Sequence, residues 1–341
     1  MDDARYNEVG NEYVAPSNLP KLPTPEEVDA QMEAQAFQNA CGMFNVKSAN
    51  QTLEEAAQRP NPVQLWLSLW YEHETCCVFA DSNVGKSVYV IQMASEIAKK
   101  YKVLYFDFEL SDKQFQLRYS DEDGNLYKFP EGLFRVDINP EALDVGLDFE
   151  DTIIRNIEQI ALYVEASVII IDNLTWLCNA SEKGEAAGSF MKSLLGLKIK
   201  YGWSLLVIAH TPKRALTNPI TQNDLAGSKK LFNLFDSAFS IGMSAKDSNL
   251  RYVKQLKIRS GTLEYHAENV MVYEIEKTGS FLHFAFRGYA TEKEHLKEID
   301  KKEEIAFKEA IIQLQSEGKT QREIGKELGI SASKVCRILK K

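Results

Sequence analysis

Between Thr75 and His210, short apolar runs alternate with helix-like stretches, and this alternation constrains the fold more than any other feature. The runs "TCCVFA", "KVLYFDFEL", "FRVDI", "SVIIIDNLTWL" and "WSLLVIAH" are rich in β-branched and aromatic residues. Helix-like stretches separate them, including Thr152–Glu165 and Ala186–Tyr201. Strands that are apolar throughout, rather than alternately, belong to a sheet covered on both faces, and strand–helix–strand repetition makes such a sheet mostly parallel. After Asp236 the texture changes. "DSAFSIGM", "RYVKQLKIR", "VMVYEIEK" and "FLHFAFRG" follow one another through short turns and predict an antiparallel extension of the sheet.

The remaining composition excludes other classes. No apolar run approaches the roughly 20 residues that cross a bilayer, and "MDDARYNEVGNEY" is too acidic and polar for a signal peptide, so a cytoplasmic protein without membrane contact is expected. Cys41, Cys76, Cys77, Cys178 and Cys336 form no C-x-x-C pair, and their odd number fits a reducing compartment. Charge is uneven. Met1 to Pro60 holds ten acids and four bases among scattered prolines, which predicts an acidic flexible arm with one short helix from about Pro25 to Ala40. From Glu317 onward seven bases face three acids, and a basic tail on a chain of net charge -9 is the footprint of a nucleic-acid contact.

The chemistry concentrates after the first run, in "ADSNVGKS". In a strand–loop–helix of this kind backbone N–H groups converge on phosphate oxygens, the helix start adds positive potential, a lysine adds a point charge and a hydroxyl reaches the metal. Ala80, Asp81, Ser82, Asn83, Val84, Gly85, Lys86 and Ser87 are therefore the expected nucleotide loop. Ala80 stands where G-x-x-x-x-G-K-[ST] has glycine, a substitution costing about 1–2 kcal/mol only if its φ is positive. Asp172, closing "SVIIID", is the expected partner of Ser87 in holding magnesium through water. Glu109, in "YFDFELS", is placed to orient and deprotonate an attacking water, with Asp107 the weaker candidate deeper on the same strand. Trp66, Trp70 and Tyr71 precede the first strand and fit either core packing or stacking on adenine.

The motifs "ADSNVGKS", "YFDFELS", "VIIIDNL" and "LLVIAHTPKR", in this order, resemble the RecA-like ATPases, in particular the RepA- and DnaB-type hexameric helicases and the KaiC and RadA proteins. The resemblance covers roughly Leu65 to Gly288. It implies a RecA-like P-loop α/β fold, ATP and magnesium as ligands, Glu109 as catalytic base and His210 as sensor of the γ-phosphate, although a histidine there also fits a simple loop hydrogen bond. It further implies that "QLKIRSG" carries Lys257 and Arg259 into a neighbouring subunit's nucleotide, in a ring or filament of identical chains. Lys213, Arg214, Lys229 and Lys230 would then face single-stranded DNA in a channel. The single acid of "FELS" argues against an autokinase. The lack of a DnaB-like amino-terminal domain leads to the expectation of a smaller plasmid, phage or transposon protein.

The tail "GKTQREIGKELGISASKVCRILKK" reads independently as a helix-turn-helix. Thr320 and Glu323 form a capping box, Gly329 stops the first helix, and the second presents Ser333, Lys334 and Arg337 to duplex DNA. A helical hairpin packed on the ATPase is the alternative. The expected organisation is an arm over 1–60, an ATPase domain over 61–290, a helical linker over 291–316 and the helix-turn-helix over 317–341. Two functions remain open: a motor that translocates on or unwinds DNA, and an ATP-controlled regulator or loader bound to specific duplex sites.

Overall fold

The alternation folds into one nine-stranded sheet, seen in a computed structural model that describes residues 24–40, 42, 44–142, 149–174, 185–212, 214–225, 229–297, 301–330 and 332–339. The described chain divides into two units between Asn61 and Pro62. In the first, α1 (Pro25–Ala40) occupies the expected span, and a second helix, α2 (Ala49–Ala57), is one that the reading of the arm did not anticipate. Its cap is local: the Ser48 hydroxyl accepts from Gln51 N at 3.1 Å, satisfying one free amide of the first turn.

The second unit opens with a small antiparallel pair, β1 (Gln64–Trp66) and β2 (Trp70–Tyr71), also unanticipated. For Trp66 and Trp70 it favours packing. Trp70 is fully buried, and the Trp66 indole N–H donates to the Tyr89 hydroxyl at 3.0 Å.

The main sheet contains β3 (Thr75–Ala80), β4 (Val103–Asp107), β5 (Leu133–Val136), β6 (Val168–Asp172), β7 (Ser204–His210), β8 (Ser237–Met243), β9 (Leu250–Lys257), β10 (Val270–Thr278) and β11 (Phe281–Ala290). Their spatial order is β11-β10-β9-β8-β3-β7-β6-β4-β5. From β8 to β5 all pairings are parallel, and from β8 to β11 all are antiparallel, so the change of texture after Asp236 marks the change of pairing. The order has one consequence for the site. β7, which ends at His210, stands between β3, which leads into the loop, and β6, which ends at Asp172.

Every residue of β3 is buried because each side of the pleat meets a helical layer. Cys76, Val78 and Ala80 pack with Val88, Ile91 and Met93 of α3 (Lys86–Ile97). Cys77 and Phe79 pack on the opposite face with Ile157 of α5 (Phe149–Val164) and with Phe190, Met191 and Leu194 of α6 (Glu185–Tyr201). Replacing Phe79 by alanine in so closed a layer costs about 3–5 kcal/mol.

The loop after β7 is fastened to the chain beyond β11. Glu292 is buried, accepts from Ile220 N at 2.7 Å and pairs with Lys254 at 2.5 Å, while Lys297 N donates to Leu216 O at 3.1 Å. This segment corrects one expectation. A single helix from Glu292 to Ser316 does not form: Glu292–His295 is a 3₁₀ turn, Leu296 returns to extended backbone at ψ 146°, and α8 spans Lys301–Ser316. Glu292 is drawn inward by Lys254 rather than left on a solvated helix face. Two short helices follow, α9 (Gln321–Glu327) and α10 (Ala332–Leu339), and Ile311, Ile324 and Val335 bring α8, α9 and α10 into one small core. The Thr320–Glu323 capping box forms, with Thr320 N donating to the Glu323 carboxylate at 2.8 Å.

Candidate active site

The loop Asp81–Gly85 joins the end of β3 to the start of α3, and its shape is imposed from outside as well as by its own residues. Asn83 and Gly85 adopt positive φ, 61° and 100°. At Gly85 a Cβ would lie 2.9 Å from Ile275 Cδ1 and 3.1 Å from the Phe284 ring, so the β10–β11 hairpin requires glycine here. Val84 O accepts from Nε of the buried Arg251 at 2.9 Å. Ala80 belongs to β3, has no positive φ among the described residues, and uses its carbonyl to accept from Thr211 N at 3.2 Å and from Lys86 Nζ at 3.0 Å. The missing glycine therefore causes no strain.

Lys86 Nζ also donates to Asp81 O at 3.0 Å and lies 3.1 Å from His210 Nδ1. An ammonium has no acceptor capacity, so His210 Nδ1 accepts and its proton sits on Nε2, which is 3.3 Å from Glu109 Oε1. That contact, ahead of the opposing effect of burial, holds the Glu109 carboxyl below the usual glutamate range. Burial lowers the Lys86 pKa, opposed by Asp172 and Glu109. Asn173, immediately after Asp172, donates to the same Glu109 oxygen and lies 3.0 Å from His210 Nε2.

The two aspartates separate cleanly. Asp107 and Asp172 are directly opposite in the β4–β6 register, and both are buried. Asp107 accepts from Glu109 N at 3.1 Å, Leu110 N at 3.0 Å and Arg135 Nε at 2.9 Å, so its oxygens are occupied in shaping the turn that carries Glu109. Glu109 itself lies two residues beyond the end of β4, not on its face, and its side chain is 41% exposed. Asp172 is bonded by the Ser87 and Tyr105 hydroxyls, yet burial still pushes its pKa up to about 6. A hydroxyl and a desolvated carboxylate joined in this way form a hard oxygen donor set that fits magnesium.

A cavity of about 560 Å³ is bounded by Ser82, Asn83, Gly85, Lys86, Ser87, Val88, Glu109 and His210. It brings the expected loop and catalytic residues together. It also contains Arg118, which sequence reasoning missed. Arg118 ends α4 (Asp112–Arg118), a helix started by the Ser111–Gln114 capping box two residues after Glu109, and its charge contributes to lowering the Glu109 pKa. The signal available was spacing: a helix of fixed length after Glu109 returns its last turn to the pocket.

The other expected residues lie elsewhere. Lys257 Nζ donates to Phe232 O and Asn233 O at 3.3 and 3.4 Å, and Arg259 pairs with Asp236 at 3.1 Å. Asp236 also accepts from Thr75 N at 2.9 Å, at the opposite end of β3 from the loop, and a six-residue strand separates the two ends by about 17 Å. Arg214 donates to Asn218 O inside its own loop. Lys213 falls outside the described residues, as do the side chains of Lys229, Lys230, Ser333, Lys334 and Arg337; Lys229 and Lys230 begin the short helix α7 (Lys229–Asn233), and the other three belong to the span of α10 or adjoin it.

A parallel sheet with a glycine–lysine–serine loop at one strand end, a buried aspartate two strands away and a glutamate beyond the next defines a P-loop ATPase of α/β fold. Residues 45–215, half of the chain, match the model of the AAA domain family AAA_25, and the chain belongs to that family. Among solved structures it is similar to a KaiC-like protein from the hyperthermophilic archaeon Pyrococcus horikoshii OT3, at 13% identity and a TM-score of 0.45, over 63% of this chain and 91% of that one. No curated protein sequence matches it. Among the described residues no helix is long and apolar enough to cross a membrane.

Proposed function

We propose that this ATPase binds ATP with magnesium, assembles into a ring or filament of identical chains and acts on DNA as a helicase or translocase of the RepA type. One observation carries the assembly: Arg259 is paired with Asp236 at the end of β3 opposite its own loop, so as a phosphate-stabilising cation it would serve a neighbour, with Lys257 near it in sequence. Lys86 and the loop amides take the phosphates, and Ser87 and Asp172 take the ion. Magnesium, when bound there, draws charge from the phosphate oxygens. Glu109 accepts the proton of the attacking water. His210 holds that carboxylate ionised through Nε2–H and touches Lys86 through Nδ1, so it registers both ends of the reacting group. Arg118 supplies a further positive charge from within the same chain.

The basic tail supports DNA as the substrate surface. The small core of Ile311, Ile324 and Val335, which joins the tail to α8, suits a helix-turn-helix with α10 as the reading helix, which also keeps the second function in view: a site-specific, ATP-controlled regulator or loader. Strand displacement with ATP, together with ATPase rates with and without single-stranded DNA, tests the choice. Stimulated ATPase and strand separation are expected. A flat ATPase with site-specific duplex binding selects the regulator.

A further inference from the structure

We infer that Tyr105 is a positioning residue for the magnesium carboxylate, fixing one oxygen of Asp172 so that the rest of the group faces Ser87 and the ion; this rests on the proposed magnesium-dependent ATP binding. Tyr105 lies on β4 two residues before Asp107, on the sheet face that also carries Asp172 of β6. Its ring is 1% exposed and its hydroxyl donates to Asp172 Oδ2.

Two features make this more than a satisfied core tyrosine. First, Asp172 has a like-charged neighbour directly opposite in Asp107, and Arg135 is hydrogen-bonded to Asp107, while Lys86 acts on Asp172 through its charge. Asp172 is left with hydroxyl donors, Tyr105 and Ser87. Second, Ser87 is itself a ligand in the proposed site and must share its oxygen with the ion, which leaves Tyr105 as the donor that does nothing but orient. Removing a group that orients a metal-binding carboxylate typically lowers metal affinity 10–100-fold.

The test is a magnesium titration of fluorescent ATP-analogue binding in the full-length protein, with thermal melting of each variant in parallel. Tyr105→Phe keeps the ring and removes the hydroxyl. The matched control is Tyr119→Phe, because the Tyr119 hydroxyl is equally buried and has no hydrogen-bond partner. The magnesium midpoint is expected to rise at least ~10-fold in Tyr105→Phe and to stay within about twofold of wild type in Tyr119→Phe. An unchanged midpoint in Tyr105→Phe, with or without a lower melting temperature, overturns the inference, as does an equal shift in both variants. If the wild-type protein binds the analogue without regard to magnesium, the failure lies with the proposed function instead.

Discussion

Replacing Asp107 by asparagine separates the anchor from the base. The carboxylate lies 2.9 Å from Arg135 Nε with its own side chain fully buried. At an effective dielectric of 20 the gross attraction is about 6 kcal/mol, most of it cancelled by desolvation. Removing one member of such a buried pair costs about 3–5 kcal/mol. Here Arg135 is 17% exposed and retains Asp112 at 2.6 Å and Asp137 at 3.6 Å, which reduces the loss. A net destabilisation of about 2–3 kcal/mol follows, seen as a fall in melting temperature of roughly 5–10 °C. Asparagine keeps a carbonyl oxygen for Glu109 N and Leu110 N, so the turn that presents Glu109 survives. ATP turnover per folded molecule should stay within about threefold of wild type, whereas Glu109→Gln should lose at least ~100-fold with little change in melting. A stable Asp107→Asn protein that no longer hydrolyses ATP, beside a normally active Glu109→Gln, would refute the assignment of the two acids.

Lys86→Ala should abolish tight ATP binding, because it removes the cation that bridges the loop carbonyls and His210; equilibrium binding of a labelled nucleotide checks this. His210→Ala removes the leading cause of the lowered Glu109 pKa, so the acidic limb of kcat/KM should move to higher pH, and an unmoved limb assigns it to another group. Gly85→Ala combines a φ of 100° with contacts of 2.9 and 3.1 Å, and should weaken both folding and nucleotide affinity, by about 1–2 kcal/mol for the backbone alone, read by denaturant melts and binding. Mixing Arg259→Ala with Lys86→Ala chains should restore part of the ATPase in a concentration-dependent way, since an interface then pairs an intact loop with an intact cation. Full activity of Arg259→Ala alone argues for a finger that is not needed.

The sheet and the loop were legible because their causes are local. Continuous apolar runs such as "SVIIID" reflect burial on both faces, and Gly85, Lys86 and Ser87 carry their chemistry in sequence order. What was illegible depends on partners distant in the chain. Strand position ranks Glu109 above Asp107, but what Asp107 does instead shows only when Arg135, from the next strand, occupies it. Arg118 enters the cavity through the length of a helix, and Tyr105 reads as one more apolar-strand aromatic until its hydroxyl meets Asp172. The supposed helix at Glu292 failed for the same reason. Its first residue is a glutamate that any helix start would welcome, but Lys254, 38 residues earlier, holds it in the interior.

That buried glutamate joins two stretches that the chain order keeps far apart. Through Ile220 and Leu216 the segment leaving His210 is bonded to Glu292 and Lys297, and Lys297 leads toward α8. One of these links is a main-chain bond, from Lys297 N to Leu216 O, and the other runs from Ile220 N to the buried Glu292 carboxylate, which also pairs with Lys254. The stretch that follows β7 is thereby fastened to the stretch that precedes α8, so that neither can be displaced alone without breaking a bond to a buried carboxylate.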